Sequence, residues 1–425
     1  MNEDLTVQWA EKTEGYLAEF GWRREDFPTL VLNTGDTPGV TYLSRDPDII
    51  SVIKPRFLKL KSVEEQKRWG GIPNEAFRSG YMEEHHPIPP PLSREEAATN
   101  SLAGMNAGLR VKICQAYSAY IFGDSDKVAN YKKIIDNVHF PCYVAVFAGQ
   151  ELIVKKNHPL VIRAKNELEP VTLVFDTITV EPGGEILCQA DISLICRTLV
   201  NPGSTAGLPA EDSAVIHCIG SRGKDGRDGS NGRDGRDGAP GQPAREDDKR
   251  CLVPAGPGNP GEPGNHGQYG GNGERGQDGP PMVIDALEIN GKFLLGNFGG
   301  NGGNGGRGGD GGNGGNGGPG GEGSLYCQPG PQAQGGSGGC GGDGGCGGHC
   351  GDGKNIYFTF CQKAPDTHLL IEQHTAVPGL GGKVGIGGNH GLGNPNGQHG
   401  SDGSRGKDGA NGVPGRVFVN GKPIP

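Results

Sequence analysis

Four residues in the C-terminal half have side chains that can bind zinc: Cys340, Cys346, His349 and Cys350. In zinc sites the ligand atoms lie about 2.0 to 2.3 Å from one ion. Cys340 and Cys346 lie within a run in which glycine recurs every third residue, and His349 and Cys350 follow it directly. In an extended helix with a three-residue period, Cys340 and Cys346 would be about 19 Å apart. For an ordered run we therefore predict no metal site there, and no cofactor.

Three carboxylates could act as a general acid and base: Asp176, Glu185 and Asp191. Glycoside hydrolases use such pairs. Here they alternate with valine and isoleucine on predicted strands, which favours solvent-facing positions. No phosphate loop or HExxH motif occurs in the chain, and the glycine runs lack the strand-to-helix context that a nucleotide loop requires. We therefore predict no catalytic residues and no enzyme.

The segment Glu83-Glu84-His85-His86 also combines metal-binding side chains. It leads directly into the proline-rich residues 87–91, which favour an extended chain. Neighbouring side chains of an extended linker rarely converge on one ion. We predict a solvated linker there, without a metal ion.

Two connections between glycine runs carry the residue types that often dominate recognition surfaces. We predict that they contact a protein or glycan receptor, whereas the glycine runs repeat small polar groups and offer little distinctiveness. The alternative is that these side chains only close the ends of the glycine domain. The candidates are Tyr326, Gln328 and Gln332 in the 324–334 connection, with His368, Gln373 and His374 in the 362–378 connection.

The glycine runs must position these connections. From Gly299 to Gly323, two glycines recur in every three residues. A period of three fits neither an α-helix nor a strand, but it matches a polyproline II helix, whose side chains fall in three rows. In the runs 299–323 and 335–348, two of the three rows consist of glycine and carry no side chains. Because neighbouring helices can approach both of these faces, these runs are expected inside a bundle. Runs with one bare row are expected outside it (220–241, 258–279 and 397–415).

Short apolar strands alternate with the runs, and the preceding 219 residues have ordinary composition. The predicted fold class is multi-domain: an N-terminal α+β region, a middle all-β region of β-helix or sandwich type, and a C-terminal polyglycine II helix bundle interleaved with short strands. In the first region, Leu30–Leu32 and Val40–Leu43 suggest a hairpin, and Ser93 to Glu96 form a capping box. The predicted domains are 1–92 (a small mixed α/β unit with a proline-rich linker), 93–141 (helical), 142–219 (β-rich) and 220–425 (glycine-rich).

The glycine runs resemble the C-terminal domains of T-even-type phage tail-fibre adhesins, which implies bundled polyglycine II helices and a receptor-binding role. The resemblance to snow flea antifreeze proteins is looser, because the rows here carry Asn, Asp, Arg, Lys and Glu instead of small regular residues. Repeats such as Lys224-Asp225 and Arg227-Asp228 also resemble bacterial collagen-like modules. We rank this resemblance second, after the one to the tail-fibre adhesins. The resemblance covers about 205 residues and does not extend to the N-terminal half.

Composition excludes several classes of function. The net charge is −9 and no basic run exceeds three residues, so the sequence shows no positively charged segment of the kind that binds nucleic-acid phosphates. No apolar stretch approaches the length of a membrane span, and the start shows no signal peptide. We expect synthesis in the cytoplasm, a final location in the cytoplasm or on a virion or similar particle, and eleven reduced cysteines.

Three functions remain open. The first is a non-enzymatic, adhesin-type recognition protein whose rigid glycine domain presents loops to a receptor. The second is a structural subunit of a fibre or other self-assembled particle, with the chain itself as partner in a homo-oligomer. The third is a carbohydrate-active β-helix enzyme.

Overall fold

The computed structural model describes Ala18, Gly21, Arg23 and residues 29–99, 104–164, 170–202, 213–372 and 376–424. Its described strands form a nine-stranded sheet, a six-stranded sheet and a two-stranded hairpin. In chain order they are β1 (Val31–Asn33), β2 (Thr41–Ser44), β3 (Arg56–Leu60), β4 (Cys142–Val154), β5 (Leu160–Arg163), β6 (Val171–Val180), β7 (Glu185–Gln189), β8 (Ile192–Val200), β9 (Ala214–Ile219), β10 (Arg245–Asp247), β11 (Arg250–Val253), β12 (Met282–Asn290), β13 (Lys292–Phe298), β14 (Ile356–Lys363), β15 (His368–Ile371), β16 (Val417–Val419) and β17 (Lys422–Ile424).

The chain passes back and forth between the two large sheets. The nine-stranded sheet has the order β1-β4-β6-β8-β12-β14-β16-β17, with β3 also paired to β4, and the six-stranded sheet has the order β15-β13-β9-β7-β5-β2. Neighbouring strands are parallel except at β3–β4 and β16–β17. Each parallel pair is therefore separated along the chain by a strand of the other sheet or by a longer insertion.

The main core lies between the two sheets, where alternate residues of each strand point inward. On the larger sheet, Leu173, Leu194, Ile284 and Phe358 lie in register on four neighbouring strands. Each of these side chains is at most 1% exposed. Such in-register apolar rows stabilise the sheets because every side chain packs against its neighbours on the same face.

Helices cover the outer face of the larger sheet. Trp69 donates from Nε1 to Thr172 Oγ1 of β6 at 2.8 Å, and Tyr357 and Phe418 of the sheet belong to the helices' apolar cluster. None of the helices in the described part of the chain is long and apolar enough to cross a membrane. The α-helices are α1 (Val63–Gly70), α2 (Asn74–Arg78), α3 (Arg94–Ala97), α4 (Ala107–Phe122) and α5 (Lys132–His139), and the 3-10 helices are Thr34–Asp36 and Ser125–Tyr131.

The glycine runs are insertions between strands, and they form six extended segments: 220–241, 258–279, 299–323, 330–353, 377–393 and 397–415. Backbone hydrogen bonds join neighbouring segments at every third residue. For example, Gly226 N donates to Asn304 O at 2.7 Å, and Gly229 N donates to Arg307 O at 2.8 Å. Segments 299–323 and 330–353 bond to four other segments each. We call this hydrogen-bonded array the glycine arm.

Glycine is required in the arm because the backbones approach each other closely. A Cβ added to Gly308 would lie 2.6 Å from the carbonyl carbon of Gly342 and 2.9 Å from that of Asp343. Real Cβ atoms essentially never make contacts this short with other atoms, so either glycine must stay or the segments must separate.

The Asn and Asp rows supply hydrogen-bond acceptors for the backbone between the glycines. Asp228 Oδ1 accepts from Arg307 N at 2.7 Å, and Asn313 Oδ1 accepts from Asn389 N at 2.9 Å. The same pairing recurs along the arm every third or sixth residue. It satisfies N–H groups that would otherwise lack a partner in the protein.

The predicted fold class is wrong. The described residues are organised by large parallel and mixed sheets, not as a polyglycine II helix bundle. Strands on both sides of residue 219 share both sheets: β12 of the glycine-rich half lies between β8 and β14. The reason is that the short apolar strands between glycine runs extend the sheets that contain the strands of residues 142–219. The domain boundaries at 92, 141 and 219 remain predictions.

The predicted hairpin of Leu30–Leu32 and Val40–Leu43 is also wrong. β1 pairs with β4 in the larger sheet, whereas β2 pairs with β5 in the smaller one. The turn-rich sequence between them is therefore a crossing from one sheet to the other.

Candidate functional site

Three connections meet at the end of the glycine arm that points away from the sheets. They are residues 242–257, which contain the β10–β11 hairpin, the loop 322–334 and the turn 393–397. Ala244 N donates to Glu322 O at 2.9 Å, and Gly335 N donates to Pro395 O at 3.0 Å. We call this end of the arm the tip.

Two kinds of bond fix the tip. Cys251 of the hairpin and Cys327 of the loop form a disulfide, so the expectation that all cysteines are reduced is wrong. Beside it, Tyr326 N donates to Glu246 Oε2 at 3.1 Å. The nearby Ser324 side chain and the hydrogen bond from the Tyr326 backbone lower the pKa of the Glu246 carboxyl. This carboxylate therefore links hairpin and loop in its charged form.

The tip exposes large apolar side chains although it is held in place. Leu252 and Val253 of the hairpin are 54% and 48% exposed, and Leu325 and Tyr326 of the loop are 84% and 45% exposed. Charged residues 245–250 adjoin them in the hairpin. An exposed apolar cluster beside charged groups is typical of a surface that binds another protein.

The structure separates the four predicted contact residues that it describes. Tyr326 and Gln328 are exposed at the tip, and Gln332 donates from Nε2 to Gly317 O at 3.3 Å. His368 lies at the opposite end of the arm, as the first residue of β15. Gln373 and His374 lie outside the described residues. The four described candidates therefore do not form one surface, because the two connections follow opposite ends of the glycine segments.

Sequence reasoning missed Leu252, Val253 and Leu325. A signal for the first two exists, since the apolar pair interrupts a charged stretch between two glycine runs. For Leu325 the sequence gives no signal of its own, and the prediction names only its neighbour Tyr326. Only the disulfide and the hairpin pairing show that these residues lie together.

The three carboxylates weighed for catalysis lie on different elements. Asp176 of β6 pairs with Arg197 Nη2 at 2.5 Å on the larger sheet. Glu185 begins β7 in the smaller sheet, and Asp191 lies between β7 and β8. Asp176 and Glu185 therefore do not lie side by side, because their strands belong to different sheets.

The cysteines and histidine weighed for zinc are spread along the arm. Cys340 N donates to His266 Nδ1, and His349 Nδ1 accepts from Ala410 N, each at 2.8 Å. Cys350 is buried. In the described part of the chain, no group of three or more His, Cys, Asp or Glu residues is placed to hold a metal ion.

The segment predicted as a solvated linker is instead packed between sheet and helices. His85 Nε2 and His86 Nε2 lie 2.7 and 2.8 Å from the hydroxyl oxygen of Tyr357, a side chain that is 1% exposed. Burial lowers the pKa of His85, and it lowers the pKa of His86 to about 4. Since the hydroxyl donates only one proton, one imidazole accepts from it and the other donates to it. The prediction of a solvated segment is wrong because the histidines complete this buried network.

A cavity of about 500 Å³ lies between α1–α2 and the outer face of the larger sheet. Its floor includes Ser193, Ile195, Asp285 and Thr359, and Trp69 contributes to its wall. This volume is in the range of small-molecule sites. The cavity lies on the sheet layer and is separated from the tip by the glycine arm.

Comparison with known proteins gives little help. No family model matches the chain, and no curated protein matches it. A solved structure that it weakly resembles is the nine polyproline type II helical bundle antifreeze protein of the springtail Granisotoma rainieri. The identity is 22% over 44% of this chain and 96% of that one, with a TM-score of 0.07. So low a score supports neither a shared fold nor a shared function, and nothing found supports the resemblance to phage tail fibres.

Proposed function

We propose that this protein is a non-enzymatic recognition protein that binds a partner protein through the tip of its glycine arm. One observation supports this most strongly: Leu252, Val253, Leu325 and Tyr326 are exposed on a tip that a disulfide holds together. Ordering a flexible loop on binding costs affinity, so a loop fixed in advance is a better recognition surface.

The residue types favour a protein over a glycan as partner. Three of the four exposed side chains are aliphatic, and these gain binding energy by burial against other apolar groups. The aromatic ring of Tyr326 adds a typical hot-spot residue, and the charged residues 245–250 can form a polar rim. The disulfide also favours a working place in an oxidising environment, such as the outside of a cell or particle.

The rest of the chain would serve to hold the tip at a distance from the sheets. The arm is suited to this because its segments are joined at regular intervals by backbone hydrogen bonds. A chain in which most polar backbone groups are paired resists bending more than a glycine-rich linker does.

A photo-crosslinking experiment tests the proposal. Benzoylphenylalanine is placed at position 325 in one variant and at position 380 in another, and each is exposed to extracts of the native environment. Leu380 is a matched control, because it is a leucine that is 58% exposed on the side of the arm. A partner captured from position 325 but not from position 380 is then purified for measurement of Kd.

The double variant Leu325→Ser, Tyr326→Ala should weaken binding of that partner by roughly 30-fold, the equivalent of about 2 kcal/mol for a hot spot. Leu380→Ser should leave Kd unchanged. Equal crosslinking from both positions, or an unchanged Kd for the tip variant, would refute recognition by the tip.

A row of exposed apolar residues favours a second function, self-assembly through the side of the arm. Val377, Leu380, Ile386 and Leu392 recur at multiples of three residues and are 58% to 60% exposed. Sedimentation velocity distinguishes the two functions. A concentration-dependent oligomer that Ile386→Ser abolishes would support the structural subunit, whereas a monomer for both proteins would exclude it.

A further inference from the structure

Two histidines form a close pair where the last two glycine segments approach the tip. His390 Nδ1 lies 2.9 Å from His399 Nε2. The ring centroids are 4.3 Å apart and the ring planes are nearly perpendicular, at 87°. His399 is exposed and His390 is half-buried, so solvent and ions can reach the pair.

The backbone on both sides of the pair is fixed. Next to His390, Gly391 N donates to Gly336 O at 2.8 Å. Next to His399, Gly400 N donates to Gly388 O at 2.9 Å and Gly397 N donates to Gly391 O at 3.0 Å. The two imidazoles are therefore brought together by the arm itself, and little entropy remains to be lost when both bind one ligand.

We propose that His390 and His399 bind one divalent transition-metal ion of the zinc, nickel or copper type. Neutral imidazole is a good ligand for these ions. Two nitrogens about 2.0 to 2.1 Å from one ion, at an angle of roughly 90° to 110°, lie about 2.9 to 3.4 Å apart. The observed separation of 2.9 Å lies in that range. Water completes the coordination, since no third protein ligand is placed there among the described residues.

Binding requires a change in proton position but no net loss of a proton from two neutral rings. In the metal-free pair, one of the two facing nitrogens carries a hydrogen and donates it to the other. In the complex both facing nitrogens donate a lone pair to the ion. The hydrogen between the rings therefore moves, through solvent, to the outer nitrogen of the same ring.

Isothermal titration of the full chain with Zn²⁺ and with Ni²⁺ tests the site. We expect one ion per chain, and we expect His390→Gln or His399→Gln to weaken binding by roughly 100-fold, because each variant loses two-point attachment. His368→Gln is the matched control, since His368 is exposed on β15 at the other end of the arm. It should leave the affinity unchanged. Wild-type affinity in both pair variants would overturn the proposal.

A spectroscopic measurement on the wild-type protein keeps the test valid if a variant fails to fold. With one equivalent of Cu²⁺, electron paramagnetic resonance should show hyperfine coupling to two imidazole nitrogens. Coupling to one nitrogen or to none would overturn the proposal. The result does not depend on whether the tip binds a protein.

Discussion

The sharpest test of the glycine arm is a matched pair of glycine-to-alanine substitutions, Gly308→Ala and Gly256→Ala. The added Cβ at Gly308 would lie 2.6 Å from the carbonyl carbon of Gly342, and closer still to its oxygen. At Gly256 the nearest atom would be Gln242 N at 3.4 Å, an ordinary contact distance. The two variants make the same chemical change, so any difference between them measures the close approach of the backbones.

The magnitude follows from the hydrogen bonds near Gly308. To bring even the 2.6 Å contact to 3.4 Å, segments 299–323 and 330–353 would have to separate by at least about 0.8 Å, and the nearer Gly342 oxygen requires more. The hydrogen bond from Gly342 N to Gly309 O would then lengthen from 2.8 Å to at least about 3.6 Å, beyond the usual range. Loss of this bond and weakening of those on either side should cost on the order of 3 to 5 kcal/mol, because each buried group left unpaired costs about 1 to 3 kcal/mol.

Gly256→Ala should change stability by less than about 1 kcal/mol, and the change should be stabilising, because alanine restricts the unfolded chain. Hydrogen–deuterium exchange of residues 299–323 and urea unfolding measured by far-UV circular dichroism report the effect. Gly308→Ala should accelerate exchange throughout that segment and lower the unfolding midpoint. Equal exchange and equal midpoints for the two variants would refute the close-packed arrangement of the arm.

Three further predictions concern the acceptor rows, the buried histidines and the tip. Asp228→Ala should cost about 1 kcal/mol by removing the acceptor of Arg307 N, and Asp228→Asn should restore that stability in urea unfolding. Because burial lowers the pKa of His86 to about 4 from 6.5, the unfolded state binds more protons between these pH values. Stability should therefore fall by on the order of 3 kcal/mol as pH drops from 6.5 to 4, and His86→Asn should reduce this dependence in unfolding measured at both pH values. Cys251→Ser should increase hydrogen exchange in residues 245–253 without changing exchange in β12, which remains paired on both sides.

The helical layer was predictable where local signals are strong. The capping box at Ser93 and Glu96 is present, and α4 ends at Phe122, just before Gly123. These signals depend on residues a few positions apart, so a single sequence contains them. The helix that begins after Ser93 is short, because α3 ends at Ala97 and Asn106 caps a new helix.

The sheets were harder to predict because their pairing is non-local. Val283 of β12 lies between Ser193 of β8 and Tyr357 of β14, which are about ninety and seventy positions away in the chain. An apolar strand shows its own alternation but not its partner. The long glycine insertions hid the fact that β9, β12 and β14 continue one structure.

The tip shows the same limit at the level of the site. The residue type of Tyr326 indicates a contact residue, but its neighbours Leu252 and Val253 lie more than seventy residues earlier, and the Cys251–Cys327 disulfide and the hydrogen bond from Tyr326 N to Glu246 bring them together. Eleven cysteines without a regular spacing gave no indication of that pairing. Residue type therefore indicated one contact residue, and the disulfide was needed to define the surface.

The sheets explain how the glycine segments find their register. At the end of β9, Ile219 pairs with Phe298 of β13, and the next bond, from Gly220 N to Phe298 O, already belongs to the arm. The difference of 78 between donor and acceptor numbers is kept from Gly220 and Phe298 to Gly241 and Pro319. If segment 220–241 shifted by one residue relative to segment 299–323, every donor glycine of segment 220–241 would be replaced by a residue that has a side chain. Because the apolar strands have only one register that buries their inward side chains, they select the one phase of three in which glycine meets the neighbouring backbone. The strict three-residue period is thus needed along the whole length of each segment, since the register is set at one end and the tip is built at the other.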